Sequence, residues 1–114
     1  MKQIDKISLT HMQRKALVIA NSYDGINRLA GRKTWDLNDY MDGLVGDIGD
    51  LMKALMAVRN RRKMSEAEKK VEHELADVMF SILLLYKFFQ LDPAESFMKQ
   101  MAVLEERLSS EAKQ

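Results

Sequence analysis

Four stretches of the chain repeat apolar residues at helical spacing, and helix-starting and helix-stopping residues separate them. In the first, Leu9, Met12, Ala16, Leu17, Ile19, Ala20 and Tyr23 recur along one side. A start at Ser8 or Thr10 fits, Thr10 with Gln13 having capping-box form, and Gly25 and Gly31 are the candidate stops. Gly31 to Leu37 reads as a connecting loop. The second stretch starts in the cap-rich segment Asp36–Asp39, runs to about Asn60 and carries Leu44, Val45, Ile48, Leu51, Met52, Leu55 and Met56. Basic residues from Arg59 to Lys63 close it at the negative end of the helix dipole.

The third stretch has a capping box in Ser65 and Glu68 and continues to about Gln90. Its second half, VMFSILLLYKFF, is apolar on nearly every face, which predicts a central, buried helix. The fourth opens on Asp92-Pro93, a cap followed by proline at the first helical position, and carries Phe97, Met98, Met101, Leu104 and Leu108. Short connections make neighbours antiparallel. The pattern predicts an all-α fold, a four-helix antiparallel bundle forming a single domain over residues 1–114. A small chain whose third helix is apolar almost all round also predicts that another copy of the chain completes the core.

Composition narrows the function classes. The chain is 46% hydrophobic and 31% charged, which excludes disorder by composition. Cysteine is absent, which removes disulfides, thiol nucleophiles and zinc–thiolate sites. Eighteen basic against seventeen acidic side chains lack the basic excess of nucleic-acid or membrane-surface binders. No stretch approaches the roughly 20 apolar residues of a membrane span, and the N-terminus lacks the apolar core of a signal peptide, so a cytoplasmic protein is expected.

The candidate chemistry lies in acids at positions where helices turn apolar. Glu74 and Asp77, three apart and so on one face, lead directly into the apolar half of the third helix. Asp47 and Asp50 repeat the spacing beside the apolar stripe of the second. Two antiparallel helices with such pairs can direct four carboxylates at one volume. Uncompensated, they would repel strongly and lose their hydration. Hard divalent cations take oxygen ligands, and Mg²⁺ commonly combines a few carboxylates with water and substrate phosphates. The pattern therefore reads as a Mg²⁺ or Mn²⁺ site for a phosphorylated ligand. The competing reading, a solvated helix face, suits Glu66, Glu68, Glu72, Glu105 and Glu106 but suits Asp77 poorly. Gly43, Gly46 and Gly49 each cost the second helix about 0.5–1 kcal/mol. Either a helix or ligand approaches the backbone there, or the helix is kinked or begins after Gly49.

The segments GDIGDL (Gly46–Leu51) and HELADVMF (His73–Phe80) resemble the MazG-like all-α nucleotide pyrophosphohydrolases, whose signature is E-x-x-E, a spacer and E-x-x-D. LDPAESF (Leu91–Phe97) is similar to the stretch after the central helix in that family, so the likeness spans Trp35 to Arg107. The resemblance implies Mg²⁺-dependent hydrolysis of a nucleoside or deoxynucleoside triphosphate to monophosphate and pyrophosphate. Asp47, Asp50, Glu74 and Asp77 would hold the metal, with one acid of the first pair orienting or deprotonating the attacking water. It also implies a homodimer or homotetramer. The chain departs from the pattern in having Asp at its first two acid positions, Ser81 where relatives often carry a base-stacking aromatic, and Val103 where an Asn is usual. Lys99 and Arg107 match the family's terminal basic residues.

Lys53, one turn beyond Asp50, is a candidate phosphate contact or a surface lysine. Trp35 is a candidate base-stacking residue or a cap on the core. Lys87 interrupts an apolar run and is expected to extend its ammonium to solvent. His11 and His73 have no Glu three residues before them, which excludes a carboxylate-bridged di-iron bundle. Two functions remain: the pyrophosphohydrolase, with phosphoribosyl-ATP as a lower-ranked substrate, and a non-catalytic nucleotide- or metal-binding bundle that keeps the fold.

Overall fold

The computed structural model describes residues 7–60 and 64–112. They form four helices and, among the described residues, no strand: α1 (Leu9–Leu29), α2 (Leu37–Arg59), α3 (Met64–Phe88) and α4 (Pro93–Ala112). The all-α expectation holds, and none of these helices is long and apolar enough to cross a membrane.

Local chemistry sets most of the boundaries. Ser8 caps α1, its hydroxyl accepting from the His11 N–H at 3.1 Å, so the start lies at Ser8 rather than Thr10. At the other end Gly31 takes φ 71°, and the amides of Gly31 and Arg32 donate to the carbonyls of Arg28 and Asn27. This paired arrangement needs a left-handed residue at Gly31. Asp36 and Asp39 cap α2 reciprocally, each carboxylate accepting the other's backbone N–H. α2 then runs unbroken through Gly43, Gly46 and Gly49. A methyl group built on any of the three meets nothing within 4 Å, so the close approach expected over them is not made among the described residues. The Ser65–Glu68 capping box involves a side chain outside those described. α3 ends as α1 does, with Gln90 at φ 55° and the amides of Gln90 and Leu91 donating to Lys87 and Tyr86. Asp92 caps α4 by accepting from Glu95 N–H at 3.0 Å.

α2 and α3 form a tightly packed antiparallel hairpin joined by residues 60–63. α1 lies against α3, and α4 packs on α1. The core gathers Ala16 and Ala20 of α1, Tyr40 of α2 and Leu83 and Leu84 of α3, flanked by Leu9, Met12, Leu17, Phe80 and Leu85. Gln13 Nε2 donates to the Leu83 carbonyl at 3.3 Å, tying α1 to α3.

Two expectations about faces need correction. The apolar half of α3 is covered on only part of its surface. Ser81, Leu83 and Leu84 are buried, whereas Leu75, Met79, Ile82 and Phe88 are exposed, because α4 turns to α1 instead of closing over α3. On α2 the covered side is Leu44, Asp47, Leu51, Ala54 and Val58, with Ile48 left 49% exposed. The alanine at its centre lets α3 come close, and Asp47 lies half-buried at the border of the covered side, as its place beside the apolar stripe predicts. The radius of gyration is 17.9 Å, against roughly 13 Å for a compact chain of this length. The bundle is open.

Candidate functional site

The α2–α3 hairpin brings the two acid pairs together. Asp47, Asp50 and Glu74 each offer an oxygen within 4.8 Å of the others, and so do His73, Glu74 and Asp77 through one donor atom each. Glu74 belongs to both groups. It is also the deepest of the four, 3% exposed, while Asp50 is exposed and Asp47 and Asp77 are intermediate.

Burial of a carboxylate demands compensation. Glu74 Oε1 receives the Lys70 ammonium at 3.0 Å, an i,i+4 pair whose lysine is exposed. Glu74 Oε2 is buried without a hydrogen-bond partner among the described residues. His73 Nε2 lies 3.1 Å from Asp77 Oδ2, so His73, to which the sequence assigned no role, borders the cluster. The crowding is visible in Asp47. Burial, then the charges of Asp77, Glu74 and Asp50, push its carboxyl above the ordinary aspartate value, opposed only by His73. An all-oxygen donor set of like charges, with one buried oxygen lacking a donor, fits a hard divalent cation.

A cleft of about 440 Å³ opens beside the acids. Asp47 and Asp77 form one side, Gly43 and Ser81 line it, and Tyr23, Trp35, Tyr40 and Phe80 supply aromatic walls. Trp35 stacks on Tyr23 with ring centres 4.9 Å apart and meets Tyr40 edge-on at 5.8 Å. Trp35 thus both closes the end of the core and faces the acid-lined space. Gly43 and Ser81 leave room where larger side chains would fill the cleft.

The sequence left Tyr23, Tyr40 and Phe80 out of the site. Tyr40 is one turn from the Asp36 cap and buried, an apolar position in phase with Leu44, which is the signal that marks it. A second cavity of about 410 Å³ lies on α1 and α3, sharing Trp35 and Tyr40 with the first. Burial first, and then the charges of Asp24 and Asp39, push the Tyr40 phenol above its ordinary value.

The candidate basic residues do not join the acids within the chain. Lys53 is exposed on α2. Lys99 lines a separate cavity at the α3–α4 turn with Asp92 and Glu95, and Arg107 is exposed farther along α4. Lys87 is exposed at the rim of the second cavity, with its ammonium outside the core as expected.

None of the protein-family models, curated proteins and solved structures compared with the chain matches it.

Proposed function

We propose that the protein is a Mg²⁺-dependent nucleoside or deoxynucleoside triphosphate pyrophosphohydrolase, releasing nucleoside monophosphate and pyrophosphate. The observation that carries this reading is the convergence of three carboxylates, Asp47, Asp50 and Asp77, on Glu74, whose buried Oε2 lacks a partner among the described residues, at the edge of an aromatic-walled cleft. Asp47, Asp50, Glu74 and Asp77 would hold the cation, Mg²⁺ or Mn²⁺. Such an ion supplies Lewis-acid neutralisation of phosphate charge and a lower pKa for a bound water.

The chain's own residues have distinct tasks in this reaction. One acid of the first pair, Asp47 or Asp50, would orient or deprotonate the water that attacks phosphorus. As the new P–O bond forms, the bond to the bridging oxygen of pyrophosphate breaks. The proton passes to a carboxylate oxygen of that acid, and the departing group keeps the bonding electrons. Asp50, exposed on α2 and within reach of Asp47 and Glu74, would complete the oxygen ligands of the cation. Trp35 would stand against the base, and Phe80, on the wall of the acid-lined cleft, would keep bulk water from the reacting centre.

The exposed apolar residues Val45, Ile48 and Met52 of α2 and Phe97, Met98 and Leu108 of α4 support a homodimer or homotetramer in which a second copy covers them. Light scattering tests this, and a monomer at micromolar concentration removes it.

One observation favours the non-catalytic alternative. Lys70 and His73 already provide countercharge to Glu74 and Asp77, as in a bundle that binds without turnover. Incubation with Mg²⁺ and a panel of triphosphates, following pyrophosphate, separates the two. Turnover abolished by Asp77→Ala supports the enzyme. Nucleotide binding without release by folded protein supports the alternative and overturns the enzyme.

A further inference from the structure

The second cavity has chemistry that the acid site does not use. Its walls are apolar and aromatic, with Leu17, Ala20 and Leu84 behind and the rings of Trp35, Tyr40 and Phe88 around it. Its polar groups are few: Asn21 and Asp24 from α1, and Lys87 from α3. Asp24 Oδ1 is buried and has no hydrogen-bond partner among the described residues. At about 410 Å³ the space lies within the range of small-ligand pockets. Trp35 and Tyr40 form its boundary with the cleft that holds Asp47 and Asp77. The two spaces are therefore neighbours that share these two rings.

We infer that this cavity is a nucleobase subsite selective for guanine, with Asp24 reading the base edge. The inference rests on the nucleotide reading above and names its substrate class.

The argument is one of donors and acceptors. An ionised carboxylate only accepts. Guanine presents two adjacent donors, N1–H and the 2-amino group, followed by the acceptor O6. Asp24 takes the two donors, and Asn21 Nδ2 or the Lys87 ammonium gives to O6. Adenine sets its N1 lone pair beside its amino group, facing a carboxylate oxygen with an acceptor. Uracil and thymine flank one N–H with two carbonyls, and cytosine offers one amino group beside two acceptors. Each leaves a buried carboxylate oxygen unpaired against a lone pair, which is costly. The aromatic walls bind any base by stacking and supply affinity without choice. Selection therefore falls to Asp24.

The test combines a base panel with an exchange of the reading group. Pyrophosphate release is measured with Mg²⁺ for the guanine, hypoxanthine, xanthine, adenine, cytosine and uracil deoxynucleoside triphosphates. Calorimetry on metal-free protein compares guanosine monophosphate with adenosine monophosphate. Wild type is expected to prefer guanine over adenine by about 10–100-fold in kcat/KM and in binding, with hypoxanthine between. Asp24→Asn presents one acceptor and one donor, which match the N1–H and C2 carbonyl of xanthine. This variant is expected to lose the guanine preference and gain one for xanthine.

Equal rates across the bases, or a guanine preference that survives in Asp24→Asn, overturns the inference and leaves the pyrophosphohydrolase standing. Absence of release from every nucleotide overturns the pyrophosphohydrolase instead. The monophosphate titration then decides the inference: Asp24-dependent selection of guanosine monophosphate supports it, and equal or absent binding overturns it. The wild-type panel decides the matter if Asp24→Asn does not fold.

Discussion

Replacing Glu74 with Gln separates a metal site from a structural ion pair by the sign of a stability change. Glu74→Gln keeps shape and volume while removing a charge that is 3% exposed and surrounded by Asp47, Asp50 and Asp77. Leaving a buried polar oxygen without a donor costs about 1–3 kcal/mol, and that is the state of Glu74 Oε2. The variant's amide nitrogen can donate to a neighbouring carboxylate. What is lost is the bond to Lys70, whose ammonium is exposed and solvated, so the loss is small. In chelator the variant should therefore be more stable than wild type by about 1–2 kcal/mol, raising Tm by roughly 4–8 °C or more. With divalent cation at a hundred times Kd, a site that binds only the folded chain adds about 2.7 kcal/mol to wild type. The variant should lack that increment, and the order should reverse. The assay is thermal unfolding of both proteins in chelator and across a Mn²⁺ or Mg²⁺ series. A loss of about 3–5 kcal/mol in chelator, as when a buried ion pair is broken, together with an undiminished response to metal, would refute the reasoning.

Three further outcomes are expected. Asp47's raised carboxyl keeps a proton in the folded chain that the unfolded chain has released, so its contribution is full below about pH 3.9 and is lost as pH rises through the raised value; the Tm advantage of Asp47→Asn in chelator should grow across that window, and a pH-independent difference contradicts it. Lys70→Met should tighten Mn²⁺ binding by about fivefold, since the ammonium competes with the cation for Glu74 Oε1; titration giving unchanged or weakened affinity removes Lys70 as a competitor. Gln90 occupies the left-handed region at φ 55°, so Gln90→Gly should raise stability by about 1 kcal/mol in urea unfolding, and a lowered midpoint refutes the strain assigned there.

The helices were legible because their signals are local. Asp36, Asp92 and Gly31 act through backbone groups a few residues away, and the structure uses all three at helix ends. The acid pairs were legible for a related reason: three-residue spacing fixes a shared face, and a short link between α2 and α3 fixes which faces meet. The choice of covered face on α2 was not legible. Both Ile48 and Leu51 are apolar, and only the position of α3 decides which is covered. The aromatic walls depend on α1 crossing to Trp35 and Tyr40, a long-range arrangement with no counterpart in spacing. The glycine-rich side of α2 drew the expectation of a neighbour, yet glycine marks permission for close approach and does not identify what approaches.

The four acids all belong to one helical hairpin, whereas the second cavity needs α1 as well. This division makes the chain modular in inheritance. If the proposed function holds, substitutions along α1 would redraw which base is welcome while the acid-bearing half stays untouched, and recombination between α1 and α2 would exchange selectivity as a block. The hairpin, built from contacts close in sequence, is also the part expected to form first. A refolding chain would thus assemble its acid cluster before α1 docks to complete the second cavity.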